Sequence, residues 1–505
     1  MKTKSKSIPE KKASVFREVY PIYEPYVYAA VVTEPNTQRI RYELIEPTLL
    51  EEEENQLREI KDILVEEIDV NLKEIGTRDK AEEYLKTKIR EIIKDYRLKI
   101  DEEAVDKLMY FIIRDFLGYG KIDPLMKDPL IEDISADGVD IPIYIWHRNY
   151  ESLPTNILFK NSEELNSFIV RLAYLAKKNI SLAMPILDAS LPDGSRIQMT
   201  YGDEITRRGS TFTIRRFRVD PLTISDLISF GTLSSEMAAY FWYAIENRAS
   251  ILVSGGVAAG KTTALNCFSM FIKPGLKVVS VEDTAELNLP HENWIPSVAR
   301  MGFGHDEKGA RTVTLFDLLK AAVRQRPDYL LVGEVRGEEA YTLFQAMATG
   351  HLGMGTIHGE SASSVIHRLE SEPMNIPRPL LTMIDAITVQ LRTEVNGKPA
   401  RRTRTVTEIV GLDPKTRELI TNEVFRWDAK HDTFVYSGHS HILEEKRKRK
   451  GLDEKEVLEE LNRRKTVLDW MVKKGIRKYP DVVSVIREYY ADPTRVFRKA
   501  RLGPS

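Results

Sequence analysis

The chain has 505 residues, too many for one ordinary hydrophobic core, so two or three domains are expected. Its 74 Lys and Arg against 76 Asp and Glu leave a formal net charge of −2, which gives no global reason to expect nucleic acid as a partner. The single cysteine excludes an intrachain disulfide, and no run approaches the roughly 18 uninterrupted apolar residues of a membrane span. The basic start has no apolar segment of the secretory kind, so any membrane association is expected to be peripheral.

Residues 1–20 are rich in Lys and Ser and read as a solvated tail or, as the alternative, an interaction arm. From Pro47 to Lys121 the pattern is helical. Leu57, Ile60, Ile63 and Leu64 recur at three- and four-residue spacing behind the acidic run Glu51-Glu52-Glu53-Glu54, which suits the positive end of a helix dipole. Residues 104–117 read as another helix, closed by Gly118-Tyr119-Gly120. Residues 1–120 are therefore expected to be a mobile basic tail and a helical N-terminal region.

Between residues 121 and 218 the texture changes to short β-like runs, at 141–146, 197–200 and 210–215, with a helix at 168–177. This predicts a small α/β domain. A linker at 219–224 follows, where Pro221 disfavours helix at Asp220, and residues 225–505 make a larger α/β domain with a helical C-terminal region. In that domain strand-like runs at 250–254, 277–281 and 329–334 alternate with helical stretches at 315–324 and 338–348. Such alternation implies a mostly parallel sheet with helices on both faces.

The apolar run ending at Ser254 leads into Gly255-Gly256-Val257-Ala258-Ala259-Gly260-Lys261-Thr262-Thr263, and a helix-compatible stretch follows. Gly-x-x-x-x-Gly-Lys-Thr between strand and helix is the phosphate-binding loop pattern. Its glycines let successive backbone N–H groups turn inward at a helix N-terminus, where the dipole also favours negative charge. Lys261 is placed to reach the β- and γ-phosphates of a nucleoside triphosphate, and the Thr262 hydroxyl to bind Mg²⁺. Cys267, on the presumed loop helix, reads as a small core residue.

Carboxylates follow two core strands. Val281-Glu282-Asp283-Thr284-Ala285-Glu286 and Val332-Gly333-Glu334-Val335-Arg336-Gly337 put acids at the sheet edge where ligands of open α/β sheets bind. Position 333 is glycine where an aspartate often sits, which leaves Glu334 to serve the metal and water. Gly350-His351-Leu352-Gly353-Met354-Gly355-Thr356-Ile357-His358 carries two histidines seven residues apart, with no cysteine nearby to suggest zinc. Later, Lys446-Arg447-Lys448-Arg449-Lys450 is a basic run that reads as a solvated face or as a contact for anionic lipid headgroups.

These four segments, in this order and spacing, resemble the Walker A, Asp box, Walker B and His box of the secretion ATPase superfamily, which powers type II and type IV secretion, type IV pili and the archaeal flagellum. Residues 118–125 and 131–134, Leu468-Asp469-Trp470-Met471 and Tyr489-Tyr490-Ala491-Asp492-Pro493 give the resemblance an archaellum-motor flavour, with archaeal type IV pilus ATPases as the alternative. The resemblance implies a RecA-like P-loop ATPase core, and ATP hydrolysis with Mg²⁺ in a homohexamer. It further implies peripheral cytoplasmic placement at the inner face of the membrane, beneath a polytopic membrane platform protein and beside other archaellum motor components. It implies that Glu282 orients the attacking water, with Glu334 and Thr262 at the metal. Arg196 and Arg215 match the N-terminal-domain arginines that close on the γ-phosphate, and His351 and His358 match the His-box pair. Ala258-Ala259 replaces the family's Gly/Ser-rich loop centre, a change compatible with binding because backbone N–H groups make the cradle. Two further readings stay open: a nucleic-acid-translocating motor, which the net charge does not support, and a non-hydrolysing nucleotide-switched scaffold.

Overall fold

The computed structural model describes residues 15–34, 37–67, 77–217, 220–300 and 312–502. The chain divides into two compact units, Met1–Phe217 and Arg218–Ser505.

The first unit is built on a nine-stranded sheet. Its strands are β1 (Val15–Tyr23), β2 (Val27–Thr33), β3 (Ile40–Ile45), β4 (Ile131–Ala136), β5 (Pro142–His147), β6 (Glu151–Leu158), β7 (Ile186–Ser190), β8 (Arg196–Thr200) and β9 (Thr211–Arg215). They stand in the order β1-β2-β3-β6-β5-β4-β9-β8-β7, and β3 meets β6 through one parallel bridge, Tyr42 with Thr155. The helices are α1 (Glu51–Glu67), α2 (Arg78–Asp95), α3 (Glu102–Phe116), α4 (Asp123–Lys127) and α5 (Ser162–Leu175). Ile60 and Leu64 of α1, Leu85 and Ile89 of α2, and Leu108 and Ile112 of α3 form their own buried cluster, as helical spacing predicts.

Residues 15–45 correct the sequence reading. They form three strands, and these join the sheet that also contains residues 131–215. The helical region and the small α/β domain, expected as separate pieces, thus belong to one unit. The tie is tertiary: the Tyr20 and Tyr42 hydroxyls each donate to Asp128 Oδ2 at 2.8 Å. Residues 1–14 of the expected tail, and residues 218 and 219, the second of which opens the expected linker at 219–224, lie outside the described residues.

In the second unit, α6 (Ile224–Ser229) and α7 (Ser235–Glu246) precede β10 (Ile251–Gly255), α8 (Lys261–Ser269), β11 (Val278–Glu282) and β12 (Trp294–Val298). Next come α9 (Leu315–Arg324), β13 (Tyr329–Val332), α10 (Glu339–Ala348), β14 (Leu352–His358), α11 (Ala362–Glu370) and α12 (Arg378–Leu381). The chain continues through β15 (Ala386–Val395), β16 (Lys398–Leu412), β17 (Leu419–Asp428) and β18 (Thr433–Tyr436) to α13 (His441–Lys450), α14 (Glu454–Lys473), α15 (Tyr479–Ala491) and α16 (Pro493–Leu502).

The strand order is β12-β11-β13-β14-β10-β15-β16-β17-β18. β12 through β15 run parallel, and β16, β17 and β18 extend the sheet antiparallel. Every residue of β10, β11 and β13 is buried, because both faces are covered. Ile251, Val253, Val278, Leu331 and Met354 pack on one side, while Leu252, Val279, Val281, Leu330 and Ile357 pack on the other. This is the expected RecA-like α/β core.

The antiparallel extension was not legible locally. It is anchored by Glu408 of β16, fully buried, which accepts hydrogen bonds from Tyr240, Ser440, Asn422 and the backbone N–H groups of His441 and Ile442. The basic run at 446–450 is not wholly a solvated face either. Lys446 is buried, its Nζ 3.8 Å from Asp385 Oδ1. Among the described residues no helix is long and apolar enough to cross a membrane.

Candidate functional site at the carboxyl edge of the parallel sheet

Strand order builds the site. At the carboxyl edge stand, side by side, Glu282 closing β11, Glu334 just past β13, His358 closing β14 and Gly255 closing β10. Gly255 is the direct parallel partner of His358 on one side and of Gln390 on the other. Segments far apart in the sequence therefore converge on the Gly255–Thr263 loop.

The loop's shape follows from its residues. A Cβ at Gly255 would lie 2.4 Å from the Gln390 carbonyl oxygen, so only glycine fits. Gly260, at φ +89°, starts α8 in the left-handed conformation. Ala258 also takes a positive φ, 56°, which costs a residue with a Cβ about 1 kcal/mol. Its carbonyl accepts a hydrogen bond from Arg401 Nε at 3.0 Å, and the Arg401 stem packs against Gly260. Nothing would meet a Cβ at Gly256, Val257 is 82% exposed at the tip, and Ala259 is buried beneath. The first turn of α8, with Thr262 and Thr263, brings N–H groups that have no partner within the helix. Lys261 Nζ donates to the Gly256 carbonyl at 2.8 Å, which bends its ammonium over the loop.

Glu282 is buried, and its Oε1 accepts the backbone N–H groups of Glu286 and Leu287, both at 3.0 Å. Burial pushes its carboxyl up to about 7; the two N–H groups pull it part of the way back, and the Glu286 charge adds to the rise. A carboxylate with that pKa accepts a proton at neutral pH far better than an ordinary glutamate does. Gly333 explains itself here, since a Cβ at that position would lie 3.1 Å from Glu282 Cγ. An aspartate at 333 would crowd the buried acid.

Glu334 Oε1 lies 3.0 Å from His358 Nε2, and its Oε2 4.0 Å from Arg336 Nη1. Arg336 also pairs with Asp283. Burial and the Lys261 charge push the His358 imidazole down, against the pull of Glu334. The 3.0 Å contact fits an Nε2–H that donates to the carboxylate.

His351 corrects the pairing expected from the sequence. It precedes β14, whereas His358 ends it, and its Nδ1 lies 2.7 Å from the Pro327 carbonyl just before β13. Seven strand residues separate the two histidines by about 20 Å. Within one chain His351 stands at the amino edge, away from the loop.

Arg196 and Arg215 lie in the first unit and are exposed cross-strand partners on β8 and β9. Arg215 also stands opposite Asp133 of β4. The two cations repel, and the Asp133 carboxylate, which attracts Arg215, offsets part of that repulsion. Cys267 is buried and its thiol donates to the Leu222 carbonyl at 3.2 Å, the core role expected of it.

Sequence reasoning missed Arg401, which sits in a strand with no motif, and the Arg336 pairings, although Arg336 lies inside the second acidic segment. Among the described residues no group of three or more His, Cys, Asp or Glu side chains could hold a metal by itself. Thr262, in the first turn of α8, and Glu334, just past β13, both stand at the carboxyl edge of the sheet and carry the oxygen donors that a hard cation takes. A separate cavity of about 690 Å³, lined by Met270, Ile272, His291, Arg464 and Tyr490 among others, shares no residue with the loop.

Residues 118–463 match the family model described as type II/IV secretion system protein, and residues 430–502 match one described as PilB3-like, C-terminal. MJ0900, an uncharacterized protein of Methanocaldococcus jannaschii, is 35% identical over 518 residues, covering 96% of this chain and 92% of its own. A putative conjugal transfer protein of Mycobacterium tuberculosis is 30% identical over 269 residues, 51% of this chain and 73% of that protein. Of solved structures, the Legionella pneumophila ATPase DotB aligns with a TM-score of 0.41 and 16% identity over 74% of this chain and 92% of its own. The VirB11 ATPase of Brucella suis aligns with a TM-score of 0.28 and 23% identity over 56% and 90%. With the strand–loop–helix site in place and a family model spanning residues 118–463, the chain belongs to the type II/IV secretion system protein family.

Proposed function

We propose that this chain is a Mg²⁺-dependent ATPase that works as a homohexamer and turns hydrolysis into mechanical work for a surface filament. The observation that carries the proposal is the strand order, which lines up Glu282, Glu334, His358 and the phosphate loop at one sheet edge. The loop N–H groups and Lys261 bind the phosphates. Thr262 and Glu334 would hold Mg²⁺, which would supply charge neutralisation at the phosphates when bound. Glu282, with its carboxyl near 7, orients the attacking water and draws on its proton. His358 fixes Glu334 through the 3.0 Å contact. Arg196 and Arg215 are the cations that meet the charge spread over the transferring phosphoryl group.

The filament of the first reading is the archaellum, assembled and rotated from the cytoplasmic face of the membrane under a polytopic platform protein, with anionic lipid as a stimulating surface. The second reading is an archaeal type IV pilus assembly or retraction motor; the PilB3-like match over residues 430–502 favours it.

The test is ATP turnover of the full chain with and without anionic liposomes, beside Glu334→Gln, with mass read by light scattering. Hydrolysis lost in the variant with nucleotide still bound, and a hexamer in the wild type, supports the motor. A wild type that never hydrolyses and stays monomeric overturns it.

A further inference from the structure

We infer that Tyr479 is a positioning residue for Glu282, acting from the C-terminal helices through the segment that follows β11. The inference rests on the reading of Glu282 as the carboxylate that orients the attacking water.

Glu282 Oε1 takes its two hydrogen bonds from the N–H groups of Glu286 and Leu287. The direction of the carboxylate therefore depends on what holds those two peptides. The next residue, Asn288, is gripped at both backbone groups. Its N–H donates to Asn266 Oδ1 at 2.9 Å, on the helix that begins with Lys261. Its carbonyl accepts the Tyr479 hydroxyl at 2.6 Å. Leu287 and Leu289 are buried and seat the segment by apolar contact, which sets its depth but not its twist. The polar grips on Asn288 set the twist.

Tyr479 is itself held. It opens α15, and the carbonyl of Arg477, two residues earlier, accepts the Thr223 Oγ1 hydroxyl at 3.2 Å. Thr223 is the N-cap of α6, at the start of the described part of the second unit. A continuous set of bonds thus runs from Thr223 through the turn at residues 477–479 to Asn288 and on to Glu282. The C-terminal helices do more than cover the core: one phenol, outside every nucleotide-loop motif, aims the acid.

Tyr479→Phe removes the grip and keeps the ring. The expected result is a fall in kcat of about fivefold, the worth of one hydrogen bond, with KM for ATP and nucleotide affinity unchanged. Amide hydrogen exchange at Glu286 and Leu287 should accelerate by about the same factor. Adding Tyr479→Phe to Glu282→Gln should cause no further loss of turnover. Exchange at the two amides equal to wild type overturns the inference. So does a joint fall of kcat and affinity with a lowered Tm, which is the mark of a merely structural tyrosine. Because amide exchange needs no turnover, a wild type that does not hydrolyse ATP would refute the ATPase reading while the grip on residues 286–288 is still measured.

Discussion

Gly333 and Glu282 lie so close that a methyl group on the first would stand 3.1 Å from Cγ of the second. Glu282 ends β11 and Gly333 directly follows β13, its parallel neighbour, and the Gly333 N–H donates to the Val281 carbonyl at 2.9 Å, so the glycine backbone is the floor under the buried acid. Gly333→Ala should push the Glu282 side chain by a few tenths of an ångström. The expected outcome is about a tenfold loss of kcat with nucleotide affinity intact, measured by steady-state turnover beside equilibrium titration.

The raised Glu282 carboxyl predicts a pH dependence in two observables. A base must be ionised, so turnover should rise with pH through about 7. Stability should move the other way. The unfolded glutamate ionises near its ordinary value and the folded one only near 7, so the folded state binds the extra proton between these limits. Stability is lost across that window as pH rises, by about 3 kcal/mol in all. Glu282→Gln should then match wild type in urea unfolding below about pH 4.5 and exceed it at pH 8. Equal stability of the two proteins at pH 8 would refute the burial account.

Arg401 props the strained turn of the phosphate loop through its 3.0 Å bond to the Ala258 carbonyl. Arg401→Ala should weaken nucleotide binding by about fivefold, one hydrogen bond's worth, and leave kcat at saturating ATP near wild type. Ala258→Gly in that background should recover part of the loss, because glycine takes φ 56° without strain. Calorimetric titration with ADP reads both effects.

Arg196 and Arg215 face each other across β8 and β9. Asp133 already offsets part of the repulsion, so Arg196→Gln should lower turnover while leaving stability within a few tenths of a kcal/mol of wild type. A variant that loses turnover and stability together would mean that the arginine is structural. Urea unfolding and an ATPase assay on the same preparation separate the two.

Glu408 is the counter-example, a buried carboxylate whose work is architectural. Its loss would strand the hydroxyls of Tyr240 and Ser440 and the first N–H groups of α13. Glu408→Ala should cost about 3–5 kcal/mol in urea unfolding, and Glu408→Gln clearly less because it keeps shape and an acceptor.

The phosphate loop and the acids after β11 and β13 were readable from the residues because each is a local device. A strand, its terminal loop and the following helix are contiguous, and a glycine's backbone freedom and a lysine's charge need no distant partner. Buried parallel strands were readable too, since covered faces demand uninterrupted apolar runs such as Ile251-Leu252-Val253 and Tyr329-Leu330-Leu331-Val332. Three-dimensional order decided the rest. Strand order set Glu334 beside His358 and sent His351 to the opposite edge, although the two histidines looked equivalent seven residues apart. Long-range hydrogen bonds brought residues 15–45 into a sheet with residues 131–215, placed Arg401 on the Ala258 carbonyl, and set Tyr479 behind the segment that holds Glu282. The division has one physical cause. Backbone conformation and apolar periodicity are encoded within a few neighbouring residues, whereas a buried polar group draws its pKa and its direction from partners that only the folded chain brings within 3 Å.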